Sequence, residues 1–344
     1  MIKVYKYEDL PEQLLEEHST NLFYCPSWLS VLRQHYGCSY YATADVDSGE
    51  LMFFALIKCI AGQKLVSMPF SDYTCPGLMQ PETLKEHVKA LRKEFPELPV
   101  LLKVSFPDVS ENSLSSLGTA EEMGCLHRVN TGRGVNLESS MTPSYKRGVR
   151  RARVRGLQFG TNCSYEGLEQ FYNLFYELRM KKHGLIPQPF SFFEKVYEQF
   201  ISKGKGFFIE VWKEGRLLAS AIVLKHQNGL YYKWGCSSLS DLVDRPNNLL
   251  FYELLHLAQR DGFEYVDLGL SDTKVNKGLI RFKRSMGGTR SDIFTFQYLP
   301  ENYPHKTMEQ FKSIVNSMAS IVVASRFDRE TTEAFSKTLY PLFA

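Results

Sequence analysis

One order of elements occurs twice along the 344 residues, and this repetition constrains the fold more than any single motif. In the first half, residues 25–36 place Trp28, Leu29, Val31 and Leu32 at helical spacing and stop at Gly37. Residues 40–46 and 51–57 are β-rich runs around Asp47-Ser48-Gly49-Glu50, which predicts a hairpin. A short strand over 64–68, a Pro- and Gly-bearing loop over 69–77, a helix over 81–95 and a buried strand over 100–106 follow. In the second half, residues 165–183 form an amphipathic helix with Leu168, Phe171, Tyr172, Phe175 and Leu178 on one stripe. Three strands, 206–212, 216–224 and 230–235, turn at Glu214-Gly215 and Asn228-Gly229. A polar loop, a helix over 247–260 closed by Asp261-Gly262, and a strand over 265–269 complete the half. Each half therefore reads helix, antiparallel strands, loop, helix, strand.

This order predicts a duplicated α+β unit, with mixed and mostly antiparallel sheets flanked by helices. Hairpins mixed with crossovers argue against a doubly wound fold. The boundary falls near residues 141–146, giving domains over 1–142 and 143–302, followed by a C-terminal segment 303–344 with a helix over 307–324.

Charge excludes some classes. Forty-one Lys and Arg face 38 Asp and Glu, so the chain is neither a wholly basic nucleic-acid coat nor an acidic disordered one. The seven Cys are scattered without CxxC spacing, which points to reduced, mostly buried thiols. The N-terminus lacks an apolar leader and no run of about 18 apolar residues occurs, so the expectation is a cytoplasmic protein with no membrane span. No H-E-x-x-H pair, P-loop, G-x-G-x-x-G after a strand or G-x-S-x-G occurs, and no metal site is expected.

Four constellations carry chemistry. Lys146, Arg147, Arg150, Arg151, Arg153 and Arg155 crowd ten residues without a carboxylate. On a helix, Arg147, Arg151 and Arg155 share a face. Guanidinium forks suit phosphate oxygens, so the run reads as an anion site or as a solvated helix face. The segment 278–288 brackets Arg281, Phe282, Lys283 and Arg284 with glycines. A lysine there offers its charge to an oxyanion or phosphate; the alternative is a surface strand. Tyr231-Tyr232-Lys233-Trp234 alternates, which puts Tyr232 and Trp234 on one face, either as a cleft wall or as sheet packing. Arg179, Lys181, Lys182 and His183 end a helix, where cations complement the dipole or hold a substrate phosphate.

Together these residues resemble the FemAB-like branch of the GNAT superfamily: Fem-type peptidyltransferases and related acetyltransferase-like proteins of cell-envelope and exopolysaccharide loci. The resemblance rests on Phe23-Tyr24-Cys25-Pro26-Ser27-Trp28 with Tyr36-Gly37, Met68-Pro69-Phe70-Ser71-Asp72-Tyr73, and Arg150-Arg151-Ala152 with Gly156-Leu157. Lys182-His183-Gly184-Leu185, Gln188-Pro189, Phe192-Phe193, Arg245-Pro246-Asn247-Asn248-Leu249-Leu250, Asp267-Leu268-Gly269, and Phe282-Lys283 with Gly287-Gly288 continue it. Their order and spacing, rather than any one of them, carry the match.

The resemblance implies two tandem GNAT-like (acyl-CoA N-acyltransferase) domains, an active cleft in the second, and a C-terminal helix returning to the first. It implies transfer of an acyl or aminoacyl group onto an amine of a peptidoglycan or exopolysaccharide precursor, nucleotide-linked or lipid-linked. The donor would be aminoacyl-tRNA or acyl-CoA, with no tightly bound cofactor. A tRNA partner and peripheral membrane contact belong to this reading.

Carried over by residue, Phe282 and Lys283 match the family's Phe-Lys pair, with Lys283 stabilising the transition state and Asp272 or water accepting the proton. Arg147, Arg150, Arg151, Arg179, Lys181 and Arg245 would bind phosphate, and Tyr232 and Trp234 would line the cleft. The acyl-CoA loop [QR]-x-x-G-x-[GA] is departed from, since Asn248 and Leu250 replace its glycines and Pro246 removes an N–H. This weakens the alternative of an acetyl-CoA-dependent N-acetyltransferase. A second alternative is a non-catalytic RNA-binding or scaffold protein on the same fold. The coiled-coil arm of the family's staphylococcal members has no counterpart, because heptads are absent.

Overall fold

The computed structural model describes residues 1–11, 21–45, 47–59, 62–74, 80–105, 117–118 and 121–343. Val46, residues 75–77 of the predicted loop and Phe106 lie outside the described residues. Two compact units emerge, one of residues 1–124, 291–318 and 338–344, the other of 125–290 and 319–337.

In the first unit, β1 (Ile2–Lys6), β2 (Ser39–Asp45), β3 (Leu51–Cys59) and β4 (Gly62–Val66) run antiparallel in sequence order. The hairpin at 47–50 forms where Gly49 permits a positive φ of 75°. Helix α1 (Pro26–Tyr36) stands between β1 and β2, and buries its predicted stripe of Trp28, Leu29, Val31 and Leu32. Helix α2 (Pro81–Glu94) crosses from β4 to β5 (Val100–Ser105), and β5 pairs parallel to β4. Leu84, Val88 and Leu91 pack against Leu65, Val100 and Leu102 of the sheet. The sixth strand, β12 (Thr289–Tyr298), pairs antiparallel with β5 from Ile293 to Tyr298.

The second unit repeats this plan. Its antiparallel run is β7 (Gln158–Asn162), β8 (Gly206–Lys213), β9 (Arg216–His226) and β10 (Gly229–Ser237). Between β7 and β8 lie α4 (Tyr165–Glu177), which continues as a π-helical turn Leu178–His183, and α5 (Phe190–Val196). Helix α6 (Pro246–Arg260) crosses over, and β11 (Tyr265–Ser271) pairs parallel to β10. The sixth strand is β6 (Glu121–Asn130), antiparallel to β11. Helix α3 (Pro143–Val154) precedes β7, and α7 (Lys277–Ser285) follows β11.

The units therefore cut the chain differently from the expected break at 142/143. Residues 125–142 join the second unit because β6 ladders onto β11, and 291–302 join the first because β12 ladders onto β5. The sequence pattern marks no strand at β6 or β12, and it does not say which sheet a strand completes. The C-terminal segment is divided as well. Helix α8 (His305–Ser325) begins in the first unit, while residues 319–337, with most of α9 (Arg329–Leu339), belong to the second. There Arg329 lies over the Tyr172 ring at 4.8 Å and hydrogen-bonds Asn173, and Ser336 donates to the Pro187 carbonyl. Among the described residues no helix is long and apolar enough to cross a membrane, and no group of ligands suits a metal ion.

Candidate functional site

Parallel pairing between β10 and β11 lasts only three positions, Gly229–Tyr265, Leu230–Val266 and Tyr231–Asp267. Both strands continue, to Ser237 and Ser271, so they part above Tyr231 and Asp267. Each is irregular where they part: β10 shifts register between Tyr232 and Trp234, β11 between Asp267 and Leu270. Buried Asp267 fixes the β11 irregularity. One carboxylate oxygen accepts from the Gly269 amide at 2.8 Å and the other from Arg128 Nε at 3.1 Å.

Lys283 lies on the buried side of α7, only 2% exposed. Its ammonium donates to the carbonyls of Gly269 at 2.8 Å and Leu270 at 3.2 Å. It therefore neutralises the backbone acceptors that β11 exposes on leaving β10. A charged group this deep is tolerated because strong acceptors meet it.

On the other face of α7 a cleft of about 920 Å³ opens between α3, the start of α6 and α7. Helix α3 forms for local reasons. Thr142 caps it by accepting from the Tyr145 amide, Pro143 occupies the first turn, and Tyr145, Val149 and Ala152 make a buried stripe. Tyr145 donates from its hydroxyl to the Asn248 carbonyl at 3.0 Å, which joins α3 to α6. Gly148 allows that approach, since a Cβ there would meet Asn248 Cγ at 2.7 Å. Burying one stripe turns Arg147 and Arg151 outward into the cleft.

Six cations line it: Arg147, Arg151, Arg245, Lys277, Arg281 and Arg284. All are exposed, none has an ion-pair partner among the described residues, and no carboxylate joins them in the lining. Phe282 is part of the wall and packs on Tyr145 and Phe251 with ring centres 5.8 and 5.7 Å apart. Arg245 takes a left-handed conformation, φ 63°, immediately before Pro246. A non-glycine residue held so at a cleft is a mark of function more often than of stability. The start of α6 offers few amides to an anion. Pro246 has none, and the Asn248 amide is spent on the Arg245 carbonyl at 3.1 Å. Anions would be held here by side chains.

The structure thus gathers Arg147, Arg151, Arg245 and Phe282 at one cleft, with Lys283 immediately behind. Arg150 is exposed on α3 outside the lining, and Arg155 turns to Asp244 at 3.7 Å. Arg179 and Lys181 are not in the cleft. The Arg179 guanidinium reaches the Ile186 carbonyl at 3.4 Å, and Lys181 pairs with Glu177 on the surface at 3.0 Å. Nearby His183 is held below its ordinary pKa by partial burial and the charges of Arg179 and Lys182. Asp272 shapes the turn before α7, its Oδ1 accepting from the amides of Lys274 at 2.7 Å and Val275 at 2.9 Å.

One expectation is overturned. Tyr232 and Trp234 lie on opposite faces of the sheet, because the irregularity between them makes Lys233 an extra residue and breaks strict alternation. Tyr232 packs on Phe251 of α6 at 4.8 Å. Trp234 packs on Phe192 and Phe193 of α5 at 5.6 and 5.3 Å and donates to Gln188 Oε1 at 3.0 Å. Tyr232 also lies over Gly235, whose Cβ would meet its ring at 2.7 Å. Sequence reading did not select Lys277, Arg281 or Arg284 as site residues, although their i, i+4, i+7 spacing marks one helix stripe.

Residues 139–284 match the family described as an acetyltransferase (GNAT) domain, a stretch that spans α3, β10, β11 and nearly all of α7. Comparison of the sequence with curated proteins finds no match. Among solved structures the fold is similar to that of FemX, with a TM-score of 0.60 and 16% identity over 82% of this chain and 94% of that one. It is also similar to the C-terminal domain of a putative lysylphosphatidylglycerol synthetase from Agrobacterium fabrum, with a TM-score of 0.55 and 13% identity over 88% and 96%. The structure of L-PGS from Bacillus licheniformis gives 0.53 and 15% over 87% and 95%. At these identities the likeness is one of fold. Residues 139–284 are thus similar to a GNAT domain, and the fold is similar to that of FemX.

Proposed function

We propose that the chain is a GNAT-fold transferase that moves an aminoacyl group from a phosphate-rich donor onto an amine of a cell-envelope precursor. One observation carries this reading: six unpaired cations, without a carboxylate, surround a single cleft behind which Lys283 meets the parted end of β11. Cations left unpaired against one another repel, and a bound polyanion offsets that cost. A fold like that of FemX, and a relative named as a putative lysylphosphatidylglycerol synthetase, support an aminoacyl group and an envelope acceptor.

The chemistry needs no covalent enzyme intermediate. The acceptor amine attacks the donor's ester carbonyl, so a C–N bond forms and the C–O bond to the donor breaks. The nitrogen loses a proton to water, and the departing oxygen gains one. Negative charge grows on the carbonyl oxygen and then on the leaving oxygen, and the Lys283 ammonium, buried behind the cleft on two carbonyls, offsets it through the field of its charge rather than by contact. Because Asp272 is engaged by two backbone amides, water is the proton acceptor in this scheme. Arg147, Arg151, Arg245 and the α7 cations hold donor phosphates.

Parallel titration with an aminoacyl-tRNA pool and with acetyl-CoA, at one stated salt concentration, tests the reading. Aminoacyl-tRNA binding that weakens steeply with salt is expected. Tight acetyl-CoA binding with indifference to tRNA would transfer the conclusion to an N-acetyltransferase, the reading favoured by the description of the matched domain.

A further inference from the structure

A second cavity, of about 340 Å³, lies wholly within the first unit. Its apolar lining includes Leu299, just after β12, Met308, Phe311 and Val315 of α8, and Leu342 and Phe343 of the C-terminal turn. The volume falls in the range of ligand pockets, roughly 300–1,000 Å³. It equals about eleven water-sized volumes of roughly 30 Å³, enough for a medium-length alkyl chain. The lining is polar in part. Lys64 on β4 and Lys312 on α8 both line it, and no carboxylate does. Lys312 is exposed and has no ion-pair partner among the described residues.

The apolar surface continues outside the slot. Phe343 is 45% exposed, and Ile314 and Met318 of α8, one turn apart, are 53% and 42% exposed. A helix that is apolar toward a cavity and also toward solvent, with lysine beside both, matches the chemistry of an amphiphile at a surface. Aliphatic and phenyl walls accept an alkyl chain without directional bonds, and ammonium groups in the lining, with no carboxylate among them, select an anionic head.

We propose that the first unit binds the alkyl chain of an anionic amphiphile, with the chain among Met308, Phe311, Val315 and Leu342 and the carboxylate or phosphate head on Lys312. This site is independent of the donor cleft, so neither reading depends on the other. The head and chain have two sources, a free fatty acid or a phospholipid presented by a bilayer.

The test uses the full chain. Laurate and dodecylamine are titrated by calorimetry, and binding to phosphatidylcholine vesicles with and without phosphatidylglycerol is measured by sedimentation. Saturable laurate binding, with dodecylamine much weaker, is the expected result. Lys312→Glu should weaken laurate about tenfold or more, the loss of a charge-assisted contact. Met308→Trp, which fills the slot, should abolish saturation. Circular dichroism of both variants checks that the fold is intact, and Lys312→Glu alters only an exposed side chain. Phosphatidylglycerol-dependent sedimentation that both variants lose assigns the bilayer as the source; laurate binding without sedimentation assigns the free amphiphile. Absence of saturable laurate binding, equal affinity for dodecylamine, or indifference to both substitutions would overturn the proposal.

Discussion

Both units let a parallel strand pair part, and they treat the gap in opposite ways. In the first unit β4 and β5 pair at Leu65–Val100 and Val66–Leu101. The chain then turns back into the gap. The Ser67 amide donates to the Leu101 carbonyl and Ser67 Oγ accepts from the Lys103 amide, both at 2.8 Å. Thr74 returns to bridge Val104, donating to the Lys103 carbonyl at 3.0 Å and accepting from the Ser105 amide at 3.1 Å. This plug forces Met68 and Phe70 to φ of 52° and 58°, and Trp28 steadies it by donating to Ser71 at 2.9 Å. In the second unit the carbonyls of Gly269 and Leu270 are instead met by the single ammonium of Lys283. Backbone acceptors must be satisfied in either case. A loop satisfies them and fills the space, whereas a lysine satisfies them and leaves a charge beside a cleft. One plan, used twice, thus meets the same need once with a loop and once with a buried charge.

The sharpest way to break that comparison is Lys283→Met, the largest effect expected here. Two buried carbonyls lose their donor at roughly 1–3 kcal/mol each, so the urea midpoint should fall by an amount equivalent to about 2–6 kcal/mol. Loss of a fixed cation at the reaction centre should lower single-turnover transfer by about 100-fold or more. A variant of native stability would show that Lys283 does not perform the task that Ser67 and Thr74 share in the first unit.

Much of this was legible in advance, and the exceptions have physical causes. The helices and hairpins follow from period and turn residues, as in Trp28, Leu29, Val31 and Leu32 before Gly37. The Arg147–Arg151 face follows from i, i+4 spacing once Tyr145 and Val149 are recognised as core. Three things were not legible. Sheet membership of β6 and β12 depends on long-range pairing that no local pattern encodes. The separation of Tyr232 from Trp234 depends on one extra residue, which reverses every later side chain. The engagement of Asp272 depends on two amides of a turn that has no apolar period. Residue type marked the cations at the site, and geometry decided which of them converge.

A buried ionisable group elsewhere in the first unit, against β2, behaves differently. His87, on α2, is fully buried and shares a 2.9 Å hydrogen bond with Thr43, and burial lowers its pKa from 6.5 to about 4. The depressed folded value fixes the sign. Above pH 6.5 both states are neutral and the full stability is present. As pH falls from 6.5 toward 4 the unfolded chain takes up a proton that the folded one refuses, so stability declines, by up to about 3 kcal/mol. Below 4 this group adds no further slope. Urea titrations across that window should show the decline, and His87→Gln should flatten it; an unchanged slope would mean that other groups set it.

The cleft itself gives a smaller effect of another kind. Neutralising Arg147 and Arg151 together to Gln should weaken aminoacyl-tRNA binding about 10–100-fold and lower the salt slope by roughly two phosphate contacts. Stability should stay within about 0.5 kcal/mol, because exposed, unpaired cations contribute little to folding. A large stability loss with unchanged donor binding would reassign these residues to the scaffold.

The smallest effect tests the closed side directly. Ser67→Ala removes the oxygen that accepts from the Lys103 amide, inside a plug already held by Thr74 and by the Trp28–Ser71 contact. One hydrogen bond among several should cost about 1–2 kcal/mol. Donor titrations should superimpose on those of the parent chain, since the plug lies in the first unit and the cation-lined cleft is built from residues of the second. If this substitution weakened donor binding as the Arg147 and Arg151 changes do, the first unit's gap would have to belong to the donor's path. The contrast between a filled gap and a working one would then fail at the point where it is most specific.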